Sequence, residues 1–152
     1  LKLGIEKVFG FERYFKLSEI LKESDIISIN TPLTHETKDL VDENFLKNMK
    51  EGAYLINVSR GPIVKDQELI FKALKDNHLQ GYATDVWCNE PPTRQDLLYQ
   101  SFINEDKFVG RIIVNPHTAY FSETSIIECR EKACKSCLNI INGENLLNVI
   151  EA

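Results

Sequence analysis

The sequence has a single methionine, Met49, and it begins with Leu1. We therefore expect the natural chain to extend upstream of Leu1. No positively charged and apolar leader opens the chain, so the sequence does not indicate secretion. No apolar run approaches the roughly 20 residues that a membrane-spanning helix needs. The expectation that follows is a cytoplasmic protein without a membrane partner.

An excess of positive charge is also absent. The chain has 18 lysines and arginines against 23 aspartates and glutamates, which gives a net charge of −5. Such a balance provides no broad attraction to nucleic acid or acidic lipid, and we expect no direct nucleic-acid partner. With 152 residues and 43% hydrophobic residues, the chain has the size of one ordinary domain and enough apolar side chains for a core.

Cysteines are few, and without a secretory context their thiols are expected to be reduced. Cys129, Cys134 and Cys137 form a C-x4-C-x2-C pattern, a spacing also found in iron–sulfur ligation. They lie, however, within a helical pattern from Ser122 to about Asn142, and no fourth cysteine follows them. We interpret them as small apolar residues on one face of a helix, and we predict no metal site.

Short apolar segments alternate with helical patterns along the chain. The predicted strands are 26–29, 54–58, 81–86 and 111–114. The predicted helices begin at or near Ser18, Asp42, Asp66 and Ser122. Residues 87–110 are predicted to form a loop, with one helical turn near 97–102. Strands that alternate with helices indicate an α/β fold, a parallel sheet with flanking helices, and continuously apolar strands favour burial on both faces.

Polar and charged residues follow each predicted strand. Ligands of open parallel sheets bind beyond the carboxyl ends of the strands. A guanidinium, two carboxylates and an imidazole on one rim therefore favour a functional site. Each has a structural alternative, since an aspartate can cap a turn, a loop glutamate can be solvated and an arginine can join a surface ion pair. The residues concerned are Thr31, Pro32, Ser59, Arg60, Asp85, Glu90 and His117.

Four segments together resemble a known family. "NTPLTHET", "GAYLINVSRGPIV", "GYATDVWCNEPP" and "VNPHTAYFSE" are similar to successive segments of the D-isomer-specific 2-hydroxyacid dehydrogenases. "EKVFGFERYFKLSEILKESD" and "PHTAYFSE" are closest to the branch of the C-terminal-binding-protein corepressors and the phosphoglycerate-dehydrogenase-like enzymes. The resemblance implies a Rossmann-like NAD-binding domain.

The resemblance also implies catalytic roles for Arg60, Glu90 and His117. In the family, the arginine at the position of Arg60 holds the substrate carboxylate, and a planar guanidinium suits that task. The histidine matching His117 exchanges a proton with the substrate oxygen, and the glutamate matching Glu90 pairs with that histidine. The implied contacts to NAD are Thr31, Pro32, Val58, Ser59, Arg60, Asp85, His117 and Tyr120.

A G-x-G-x-x-G loop, which a dinucleotide site of this class needs, is missing from the sequence. We therefore interpret residues 1–121 as a partial NAD-binding domain. Residues 122–152 are interpreted as a crossing helix and a tail that returns to a substrate domain. The chain by itself is expected to bind NADH poorly and to be inactive.

The predicted function is that of an NAD-dependent oxidoreductase that interconverts a small 2-oxo acid and its D-2-hydroxy acid, as a homodimer when full length. One alternative is a corepressor-like, NAD(H)-binding scaffold, which would be nuclear. Tyr120 stands where the corepressors have a tryptophan, which speaks against them. A non-functional fragment is the other alternative.

Overall fold

The computed structural model of the chain describes residues 8–104 and 108–145. We number its elements in chain order. They are α1 (Leu17–Glu23), β1 (Ile26–Ile29), α2 (Glu43–Asn48), β2 (Ala53–Asn57), a 3-10 helix (Gly61–Ile63), α3 (Gln67–Lys75), β3 (Leu79–Thr84), α4 (Leu97–Asn104), β4 (Ile112–Val114) and α5 (Glu123–Asn142).

The four strands form one parallel sheet in the order β1-β2-β3-β4, which confirms the predicted α/β fold. The carboxyl ends of the strands are aligned. Ile29 pairs with Asn57, Asn57 pairs with Thr84, and Thr84 pairs with Val114. The residues that follow the four strands therefore start from one level, and this rim is where sequence reasoning placed the site.

The core lies on one face of the sheet. Leu55 of β2 and Leu79 of β3 are fully buried there, together with Ile70 and Leu74 of α3. On the opposite face Ile26, Tyr54 and Ile113 are 62%, 44% and 60% exposed. The sequence predicts strands that are buried on both faces. Among the described residues, one face of the sheet is buried and the other is largely exposed. An apolar sheet face of this kind stays exposed unless another layer covers it.

Three of the helices begin with the side-chain caps that the sequence predicts. Asp42 accepts a hydrogen bond from the amide of Phe45 (2.8 Å) at the start of α2, and Asp66 accepts one from the amide of Glu68 (2.9 Å) at the start of α3. These bonds satisfy amide groups that have no partner within the first turn of a helix. Ser122 caps α5 in a reciprocal arrangement with Ser125.

Some predicted boundaries are wrong. The helix α1 begins at Leu17, after Lys16, so Ser18 lies inside the first turn and does not cap it. β2 and β3 each begin earlier than predicted, at Ala53 and Leu79, because the amide of Gly52 bonds to the carbonyl group of His78 and starts the pairing there. The helical turn predicted near 97–102 is the longer helix α4.

The chain divides into two compact units, Leu1–Pro116 and His117–Ala152. The first contains the sheet. The second contains α5, none of whose residues is buried, and Cys129, Cys134 and Cys137 on it are exposed free thiols. The predicted functional division into 1–121 and 122–152 stays a prediction. Within the described residues, no helix combines the length and the apolar character that crossing a membrane requires.

Candidate active site

An open cleft lies at the carboxyl ends of β1 and β2, with a volume of about 550 Å³. Residues 30–33 form one wall, and residues 58–60 form the other. The hydroxyl group of Ser59 donates a hydrogen bond to the carbonyl oxygen of Thr31, which ties the two walls together. The cleft contains five of the residues that the sequence assigns to the site, namely Thr31, Pro32, Val58, Ser59 and Arg60.

The side chain of Arg60 is exposed at this cleft. One guanidinium N–H donates to the carbonyl oxygen of Ser59 (2.8 Å), and a guanidinium has five such donors in a planar fork. Among the described residues Arg60 makes no ion pair with a carboxylate, so the alternative of a surface ion pair finds no support there. The orientation leaves the charged end accessible to an anion that enters the cleft.

Asn57 shapes the turn that carries Arg60. Its side chain is fully buried, and it bridges two backbone groups of the turn. The amide oxygen accepts from the N–H of Ser59 (3.1 Å), and the amide nitrogen donates to the carbonyl oxygen of Arg60 (3.1 Å). Sequence reasoning missed this residue. A polar asparagine at the end of an otherwise apolar strand is the signal that could have found it.

Gly61 brings the same turn against the segment after β3. A Cβ atom at residue 61 would lie 1.7 Å from the carbonyl oxygen of Trp87 and 2.6 Å from the amide nitrogen of Cys88. The thiol of Cys88 donates to the carbonyl oxygen of Val64 (3.0 Å) and lies 3.5 Å from that of Gly61. Only glycine allows this approach without a shift of the backbone.

Glu90 is anchored to the same segment. One carboxylate oxygen accepts a hydrogen bond from the amide of Trp87 (2.8 Å), which fixes the side chain to the turn before the cis Glu90–Pro91 peptide. Trp87 therefore contacts both the loop that carries Arg60, through its carbonyl group, and Glu90, through its amide group.

The remaining predicted site residues occupy different surroundings. Asp85 follows β3, is 2% exposed, and its amide donates to the carbonyl oxygen of Asn57 (3.1 Å). His117 and Tyr120 belong to the second unit. His117 is half-buried and has a left-handed backbone (φ 54°), and Tyr120 is 67% exposed. No group of three or more histidine, cysteine, aspartate or glutamate side chains suited to a metal ion occurs in the described part of the chain.

Comparison with known proteins gives a consistent result. Residues 4–119 match the profile of the family described as D-isomer specific 2-hydroxyacid dehydrogenase, NAD binding domain. A Haemophilus influenzae protein that its name assigns provisionally to the 2-hydroxyacid dehydrogenases is 40% identical over 115 residues, which are 76% of this chain and 35% of that protein.

Solved structures agree with the sequence match. The D-mandelate dehydrogenase of Rhodotorula graminis is 26% identical with a TM-score of 0.84, covering 100% of this chain and 42% of that one. The D-lactate dehydrogenase of Aquifex aeolicus, solved with NAD and lactic acid, is 30% identical with a TM-score of 0.76, covering 95% and 45%. The chain thus spans less than half the length of these relatives. It belongs to the D-isomer-specific 2-hydroxyacid dehydrogenase family, in which it corresponds to the NAD-binding domain.

Proposed function

We propose that the protein to which this chain belongs interconverts a small 2-oxo acid and its D-2-hydroxy acid in an NAD-dependent oxidoreductase reaction. The exposed guanidinium of Arg60, held at a cleft on the carboxyl rim of a parallel sheet, carries the proposal. The relatives named for D-lactate and D-mandelate support it, because both compounds are D-2-hydroxy acids.

The cleft suits the nicotinamide end of the cofactor. Thr31 and Ser59 offer hydroxyl groups to a ribose, while Pro32 and Val58 offer apolar surface to the ring. Asp85 would accept hydrogen bonds from the carboxamide. When bound, NADH supplies the hydride that reduces the substrate carbon. The residues of this chain bind and orient the reactants and move the proton.

Arg60 would bind the substrate carboxylate through two parallel hydrogen bonds. Such a pair fixes both the position and the plane of the carboxylate, so the adjacent carbonyl group is held in one orientation. A lysine at the same place would supply charge without the planar fork.

His117 would protonate the substrate oxygen during reduction and accept the proton in the reverse direction. Imidazole titrates near neutrality and can act in both directions. Glu90, held by the amide of Trp87, would orient the imidazole.

The test is turnover by the full-length protein with pyruvate, glyoxylate, hydroxypyruvate and phosphohydroxypyruvate. We expect NADH oxidation with at least one of them, and we expect Arg60→Gln to lower kcat/KM by about a hundredfold or more. Lys72→Gln removes an exposed positive charge from α3 and should change little. An Arg60→Gln protein with unaltered kcat/KM would refute the role of Arg60.

The same assay separates the corepressor-like alternative, which the likeness of residues 6–25 and 116–123 favours, whereas Tyr120 within the second segment departs from the corepressors. A scaffold of that kind would bind NADH and dimerise, with little or no turnover of any of the four acids. The homodimer stays a prediction for both functions.

A further inference from the structure

Asn57 is a buried polar residue without a place in the chemistry described so far. It is the last residue of β2, its exposed fraction is 0%, and it pairs with Ile29 and Thr84 in the sheet. An amide side chain is costly to bury unless its hydrogen bonds are made. The contacts of Asn57 show where those bonds go.

Both ends of the side chain bond to the turn that carries Arg60. The oxygen accepts from the N–H of Ser59, and the nitrogen donates to the carbonyl group of Arg60, each at 3.1 Å. One side chain thus links the N–H at the start of the Ser59–Arg60 segment to the carbonyl group at its end. Asparagine is suited to this because it has an acceptor and a donor on one short stem.

The backbone of Asn57 is fixed from the other side. Its carbonyl oxygen accepts a hydrogen bond from the amide of Asp85 (3.1 Å). The turn is therefore built on a residue that the neighbouring strand holds in place. No comparable constraint acts on the guanidinium itself, which is exposed and bonds only to the Ser59 carbonyl among the described residues.

We propose that Asn57 is a positioning residue, which sets the backbone at Ser59–Arg60 so that the guanidinium meets a carboxylate in the cleft. The proposal rests on the proposed function for the identity of the ligand. Asn57 itself does not touch the substrate. Alanine at residue 57 would leave the Ser59 amide and the Arg60 carbonyl group without this partner, and the turn would sample other orientations.

The test is equilibrium binding of oxamate, a carboxylate isosteric with pyruvate, to the full-length protein saturated with NADH. We expect Asn57→Ala to weaken oxamate binding at least tenfold. In an Arg60→Gln background, the same change should alter the affinity less than about twofold, because Asn57 acts through Arg60. Wild-type affinity in Asn57→Ala, or losses that multiply in the double variant, would overturn the proposal.

Two controls separate positioning from folding. Ile70→Val perturbs the core beneath α3, and it should lower the melting temperature while oxamate affinity stays at the wild-type level. Hydrogen exchange of the Ser59 amide in the wild-type protein should be slowed by its bond to Asn57, and exchange at the rate of a free amide would contradict the proposal even if Asn57→Ala does not fold.

Turnover is measured in parallel to distinguish the two proposals. A wild-type protein that binds oxamate but reduces none of the four 2-oxo acids would refute the proposed function and leave the role of Asn57 standing. A wild-type protein that does not bind oxamate would overturn the role of Asn57 as stated.

Discussion

Gly61 lies so close to Trp87 that a Cβ atom at residue 61 would be 1.7 Å from the Trp87 carbonyl oxygen. The amide of Trp87 in turn donates to the carboxylate of Glu90 (2.8 Å). Trp87 thus contacts the loop of Arg60 through its carbonyl group and holds Glu90 through its amide group. The proposed substrate-binding group and the proposed partner of the histidine depend on a single backbone contact.

Gly61→Ala should therefore damage both the fold and the activity. The methyl group meets backbone atoms, which cannot rotate away, so we expect a loss of about 3 kcal/mol or more in the free energy of unfolding. Urea denaturation of the full-length protein measures it. Lys47→Ala, at an exposed position of α2, is the control and should leave the free energy of unfolding nearly unchanged. Equal stability of Gly61→Ala and wild type would show that the two segments separate readily.

Glu90→Gln should slow reduction. Glutamine keeps an acceptor for the Trp87 amide, so the turn should persist, but it replaces the carboxylate with which Glu90 would orient the imidazole of His117. We expect kcat to fall by about tenfold or more with little change in KM. Glu68→Gln, which removes a carboxylate from the first turn of α3, serves as the control and should change neither constant. A Glu90→Gln protein with wild-type kcat would exclude the proposed pairing.

Arg111 should stabilise the fold through three carbonyl groups. Its guanidinium donates to Leu79 (2.7 Å), Leu74 (2.9 Å) and Gln80 (2.9 Å), joining the end of α3 to the start of β3. Lysine cannot reproduce this fork, so Arg111→Lys should lower the free energy of unfolding by about 1–3 kcal/mol. Urea denaturation should show no such loss for the exposed Arg130→Lys. A smaller effect at residue 111 would mean that water replaces the bonds.

Alkaline pH should destabilise the protein through Cys88. Burial raises the pKa of its thiol from 9.0 to about 11, with the charge of Asp66 as the next cause. The unfolded chain then loses the proton first, so stability falls as the pH rises from about 9 to about 11. The urea concentration at the midpoint of unfolding should fall less in Cys88→Ala than in the wild-type protein between pH 8 and roughly pH 10, at the lower end of that window. Cys129→Ala, at an exposed thiol, should leave it unchanged.

A part of the alkaline slope should remain in Cys88→Ala. Burial also raises the pKa of Tyr82, from 10.0 to about 12, and this group acts in the same direction at higher pH. An identical slope in Cys88→Ala and wild type would assign the whole effect to other groups.

The 152-residue chain by itself should bind NADH much more weakly than the full-length protein. No three of its seven glycines have the spacing that cradles a diphosphate, so only the nicotinamide end finds contacts. A fluorescence titration of the two proteins compares them. Micromolar binding by the isolated chain would contradict the expectation.

Local patterns account for what the sequence predicted correctly. The apolar strands and the caps Asp42, Asp66 and Ser122 all depend on neighbours within a few positions. Parallel pairing then brings Thr31 and Ser59 to one cleft, because the carboxyl ends of parallel strands share an edge.

Contacts between distant segments account for what was missed. The approach of Gly61 to Trp87 joins positions 26 residues apart, and nothing near Gly61 in the sequence announces it. The sequence predicts Arg111 as the first residue of a strand, but it does not predict that the side chain donates hydrogen bonds to carbonyl groups of α3 and β3. Ser18 has the chemistry of a cap, but the helix begins two residues earlier than a cap at that position would allow.

Ile29, Asn57, Thr84 and Val114 are paired in register, so the four strands end at the same level of the sheet. Loops that leave this rim can lengthen or shorten without moving their own starting points. Removing one residue within a strand would instead draw its end back by about 3.3 Å and turn its side chains to the other face. The loops can therefore differ in length without displacing the rim, whereas a deletion within a strand would displace its rim residue and reverse its faces.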